Sequence, residues 1–110
     1  MYNNGYGLRE DNKKAFINMQ KAAKQNYPFA QYMLGVYYLN GIGTYTNSKS
    51  AFIWIEKSAK QGLPIAQMQL GKMYLTGSGT DKNIVKSQIW IEKGKKQISD
   101  GINNLIDYWK

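Results

Sequence analysis

The chain contains neither cysteine nor histidine. Without cysteine there is no disulfide framework and no thiolate metal site. Without histidine the usual general base and the commonest zinc ligand are missing. Long apolar runs are missing too. One apolar stretch, Met33 to Leu39, includes a glycine and two tyrosines and falls far short of the roughly 20 residues of a spanning helix. Acidic residues are scarce, seven against 15 lysines and arginines, for a formal net charge of +8. These gaps argue against an enzyme, a bound metal or a cofactor.

What is present looks globular. Hydrophobic residues make up 43% and charged residues 20% of 110 positions, ordinary usage for one small domain. Lysine outnumbers arginine 14 to 1, and asparagine, isoleucine and tyrosine abound, as an AT-rich genome would dictate. A solvated lysine surface therefore accounts for the charge. Nucleic acid or an anionic surface is the reading from another class. Met1-Tyr2-Asn3-Asn4-Gly5 offers no apolar core for a signal peptide. The sequence as given reads as cytoplasmic, or as secreted or periplasmic if the reading frame starts upstream.

A period of 36 residues organises the chain. Ala30, Leu34, Gly35, Tyr38, Leu39, Gly41 and Gly43 return as Ala66, Leu70, Gly71, Tyr74, Leu75, Gly77 and Gly79. Ile53 to Lys57 returns as Ile89 to Lys93, so Trp54 matches Trp90. One period earlier, Gly5, Gly7, Ala15, Phe16, Lys21 and Ala23 lie under Gly41, Gly43, Ala51, Phe52, Lys57 and Ala59. Such a period marks units that stack and bury one another's apolar faces.

Each unit reads as two helices. Pro28 suits a first helical turn, and Ala30, Leu34 and Tyr38 recur at helical spacing behind it. Asn40-Gly41-Ile42-Gly43 stops that helix. Ser48 is the expected N-cap of a second helix to Lys60, with Ala51, Ile55, Ser58 and Ala59 inward beside Phe52 and Trp54. Gln61-Gly62-Leu63 closes it before Pro64. Glu56–Lys60 and Glu92–Lys96 stand at i,i+4 in the favourable order, worth a few tenths of a kcal/mol each. The expected fold is all-α, an α-solenoid of stacked antiparallel helical hairpins.

The pattern Ala-x-x-x-Leu-Gly-x-x-Tyr-x-x-Gly-x-Gly, then Trp-x-x-Lys-x-Ala-x-x-Gly, resembles the Sel-one-like repeat (SLR), a cousin of the tetratricopeptide repeat. Ala30 through Gly62 matches nearly throughout, and Ala66 through Lys93 matches well. Thr44 stands where the family has valine, Asn18 where it has tryptophan, and Gly94-Lys95 replace its alanine pair. The resemblance implies a scaffold for protein partners, while leaving the pathway open.

The expected organisation is a single repeat domain, 1–110. Residues 1–27 form a partial first repeat, 28–63 and 64–98 two full repeats, and 99–110 a C-terminal capping helix. Met1 aligns with Tyr37 and Met73, so Met1 to Asn4 would be the last turn of a first helix. The sequence thus reads as a fragment or as one begun at an internal methionine. Helix Asn12 to Gln25 would then leave Phe16 and Met19 uncovered on one side and favour self-association, by stacked ends or by docking of Ile102 to Trp109 from another chain.

Candidate sites follow from the repeat. The Gly-x-Gly pairs at 5/7, 41/43 and 77/79 lack the rest of a phosphate-binding signature and read as turns. Glu56 and Glu92 read as outward partners of lysines, not as a catalytic pair. Lysine rows 21/57/93 and 24/60/96 run along the second helices. The first helices would line a concave groove with Tyr32, Val36, Leu39, Asn40, Met68, Lys72, Leu75 and Thr76, suited to a peptide or helix. An effector neutraliser or enzyme regulator would use the same groove.

Overall fold

A computed structural model describes residues 6–109, with side chains from Glu10 onward. Five helices follow one another: α1 (Tyr6–Lys24), α2 (Pro28–Asn40), α3 (Ser48–Lys60), α4 (Pro64–Thr76) and α5 (Ile84–Trp109). Helices α2 and α3 pack as one hairpin and α4 and α5 as the next, while α1 packs on α2 and α3 on α4. The fold is an α-solenoid, as the period predicts.

Repeated residues make repeated contacts. Phe16 meets Tyr38 edge-on with ring centroids 5.3 Å apart, and one period later Phe52 meets Tyr74 in the same way at 5.5 Å. The core is strung along the array. Ala23, Ala30 and Leu34 form one cluster under Phe16, Met19, Ala22, Tyr38 and Trp54. Ala51, Ile55, Ala59, Ala66, Leu70, Met73 and Tyr74 form the next, joined to the first through Tyr38. Within each hairpin the helices approach closely at glycine. A Cβ on Gly35 would strike the Ile55 side chain, and one on Gly71 would sit 2.5 Å from Ile91 Cγ1 and 2.8 Å from Ser87 O.

The turns explain the paired glycines. Gly41 and Gly77 cap their helices in the left-handed conformation, with φ of 67° and 73°. Gly43 and Gly79, at φ of 71° and 72°, lie against the backbone of Asn12 and Ser48. The second glycine therefore seats each turn on the second helix of the preceding unit, where no side chain fits.

Local expectations differ from the structure in three places. The α3 cap is Asn47, whose side chain accepts from Ser50 N at 3.0 Å, with Ser48 already helical. Asn83 repeats that bond to Lys86 N at 3.0 Å. Gly7 lies inside α1 instead of in a turn, while Gly5 and Met1 to Asn4 lie outside the described residues.

The third difference is the largest: residues 99–109 form no separate capping helix but continue α5, which is 26 residues long against 13 for α3. The reason is chemical. Asn26 and Gly62 leave the earlier second helices at φ of 71° and 97°, and Pro28 and Pro64 follow them. The matching positions hold Ile98, whose branched side chain resists positive φ, and Asp100. Nothing breaks the helix there.

Candidate functional site: the faces of the first helices

Proline starts and glycine stops set α2 and α4 to 13 residues each, so their faces repeat in register. The eight expected groove residues divide in two. Asn40, Lys72, Leu75 and Thr76 are exposed near the C-terminal ends of α2 and α4. Thr76 Oγ1 donates to Lys72 O at 3.1 Å, and Leu75 is 47% exposed. Tyr32, Val36, Leu39 and Met68 are half-buried. Tyr32 and Leu39 pack against the second core cluster, and the Tyr32 ring lies 6.3 Å from Phe29. Met68 lies beside Gly94, where an added Cβ would be 2.6 Å from Met68 Cγ. Part of that apolar surface is therefore committed to packing.

The lysine rows are exposed, and two of their members cap aromatic rings. Lys57 Nζ lies 4.6 Å from the Trp54 ring centroid and Lys93 Nζ 5.2 Å from that of Trp90. Lys86 stands over Tyr74 at 5.5 Å. Glu56 pairs with Lys60 at 3.9 Å, which leaves it a surface partner of lysine. Burial raises the Tyr74 hydroxyl pKa above its usual value, and the negative charge of Glu56 adds to the effect. Among the described residues, no group of three or more acidic side chains could hold a metal ion. None of the described helices is long and apolar enough to cross a membrane.

Sequence reasoning passed over the buried glutamines. Gln31 and Gln67 are 2% and 1% exposed, and each donates backward to a second helix, to Ala23 O at 3.3 Å and Ala59 O at 3.2 Å. Gln31 also reaches Asn26 Oδ1 at 3.1 Å and accepts from Gln61 Nε2 at 2.7 Å. Gln67 Oε1 is buried with no partner. The signal was available: a polar residue recurring at the repeat period in the middle of an apolar face.

Stacked hairpins, seated glycine turns and a buried glutamine at each junction define an α-solenoid repeat protein. The Sel1 repeat family profile matches residues 1–27, 28–63 and 64–97, and the chain belongs to that family. A Sel1 repeat protein from Oxalobacter formigenes is 31% identical, with a TM-score of 0.74 over 76% of this chain and 24% of its own. A protective antigen of uropathogenic Escherichia coli with an SLR fold, c5321, is 32% identical, with a TM-score of 0.76 over 77% of this chain and 18% of its own. The chain therefore spans a quarter or less of these relatives. No curated protein matches it. Sel1 repeats generally mediate protein–protein interaction and are generally non-enzymatic scaffolds.

Proposed function

We propose that the chain is a non-enzymatic interaction module that holds a polypeptide segment along α2 and α4. One observation carries this reading. Leu75, Lys72, Thr76 and Asn40 stand exposed on first helices whose opposite faces are spent on the core. An aliphatic side chain, a cation and two hydrogen-bonding ends suit an extended or helical peptide. A segment with an acidic residue near an apolar anchor matches that set.

The test is affinity capture with the full chain and with Lys72→Glu plus Leu75→Ser, positions whose exposure spares the fold. The expected result is loss of a partner that the parent retains, with helical circular dichroism unchanged. Equal recovery of all partners would remove this face from consideration. Tyr32 and Met68 are unsuitable targets because both are packed.

A further inference from the structure

Each second helix presents the same outward stripe. Lys13, Ile17, Lys21 and Lys24 on α1 recur as Lys49, Ile53, Lys57 and Lys60 on α3, and as Val85, Ile89, Lys93 and Lys96 on α5. Spacings of four, four and three residues keep each set on one side of its helix. All of these side chains are exposed, and Ile17, Ile53 and Ile89 are so by 48%, 52% and 59%. Ile53 belongs to α3, which packs between α2 and α4, so its exposure is no effect of an array end. The three helices thus carry a row of single isoleucines beside two rows of lysines. Six lysines stand in those rows against two glutamates among them, Glu56 and Glu92.

Between the C-terminal ends of α1 and α3 this face is hollowed. A cavity of about 490 Å³ is lined by Lys24, Lys57 and Lys60, by Trp54, and by the amides of Asn26 and Gln61, with no carboxylate in its wall. Lys57 rests on the Trp54 ring and Lys60 shares Glu56, whereas Lys24 has no acidic partner among the described residues. Asn26 Oδ1 accepts from Gln31 at 3.1 Å and from Gln61 at 3.2 Å. Its Nδ2 has no acceptor among the described residues. The cavity therefore gathers three cations and an unused amide donor, a set that suits a phosphate.

We infer that the outer face of α1, α3 and α5 docks on negatively charged lipid bilayers. A phosphate headgroup sits in the cavity among Lys24, Lys57, Lys60 and Asn26, and the isoleucine row enters the boundary between headgroups and acyl chains. The pattern selects this occupant. A protein interface concentrates apolar side chains at a centre poor in lysine, whereas these isoleucines stand singly with lysines one turn away. A bilayer accepts that arrangement, because the lysine stems lie along the apolar layer while their ammonium groups reach the phosphates. Nucleic acid would engage the lysines and leave the isoleucine row without a contact. The surface is separate from the face of α2 and α4 proposed for polypeptide partners.

Flotation of the full chain with vesicles tests this. The chain should float with phosphatidylcholine vesicles that contain phosphatidylglycerol and stay behind with phosphatidylcholine alone. Added salt should weaken the binding. Ile17→Ser plus Ile53→Ser leaves the charge unaltered and should also weaken it, with helical circular dichroism unchanged. Lys24→Gln plus Lys57→Gln should weaken it and flatten its salt dependence. Lys72→Glu plus Leu75→Ser, on the other face, should float as the parent does, so that the two readings fail separately. Equal flotation with both kinds of vesicle would overturn the inference. So would flotation indifferent to the isoleucine pair, flotation lost on substituting Lys72 and Leu75, or binding to a duplex oligonucleotide in place of vesicles.

Discussion

The Gln61 side-chain amide donates to Gln31 Oε1 at 2.7 Å, joining the end of one second helix to the first helix of its own hairpin. Gln31 in turn donates to Ala23 O of α1, so one side chain ties together three successive helices. The next junction lacks the outer half of this clamp. Gln97, the counterpart of Gln61, is exposed on the continuous α5, and Gln67 Oε1 has no partner.

Removing the buried member of the clamp should cost more than removing the exposed one. Gln31→Ala removes two hydrogen bonds at once, the one to Ala23 O and the one from Gln61, while Asn26 N still donates to Ala23 O, and is expected to destabilise by about 1–3 kcal/mol, against about 0.5–1.5 kcal/mol for Gln61→Ala. Urea unfolding of the two variants provides the comparison. Equal losses would mean that the bond to Gln61, not the buried anchor, carries the effect.

The close approach of α4 and α5 predicts a second result. Gly71→Ala puts a methyl group 2.8 Å from the Ser87 carbonyl and 2.5 Å from Ile91. Overpacking of this kind costs about 1–3 kcal/mol. Gly101→Ala adds its methyl group to open space and should stabilise slightly through helix propensity. Thermal melts that rank the two variants the other way would contradict the packing described.

Continuity of α5 depends on two residues. Ile98→Gly plus Asp100→Pro restores the residue types at which α3 ends, and should end α5 near Gln97. Backbone carbon chemical shifts would report the break directly. A helix that ran unbroken through position 100 in this variant would show that the end of α5 is set by something other than these two residues.

Alkaline stability should depend on Tyr74. Burial and Glu56 raise its pKa in the folded chain, so the unfolded state releases its proton first. The stabilisation is complete below about pH 10, the unfolded value, and declines as pH rises through and beyond it. Tyr74→Phe should therefore lose less stability than the parent between neutral and strongly alkaline pH. Parallel declines in denaturant midpoint for both proteins would count against this.

The sequence by itself determined the period, the helix starts at Pro28 and Pro64, the stops at Gly41 and Gly77, and the inward sets Ala30–Leu34 and Ala51–Ile55. These are local rules, set by backbone chemistry and by periodicity about one axis. The fate of residues 99–109 misled that reading because a broken and an unbroken helix carry the same apolar spacing. Only the missing left-handed residue and the missing proline distinguish them. Tertiary structure decided the rest. Whether Tyr32 and Met68 face a partner or a neighbouring helix, and why Gln31 and Gln67 stand in an apolar face, depends on several helices at once. Periodicity along one helix records which residues share a side. It does not record which neighbour that side meets, and that contact separates core from exposed surface here.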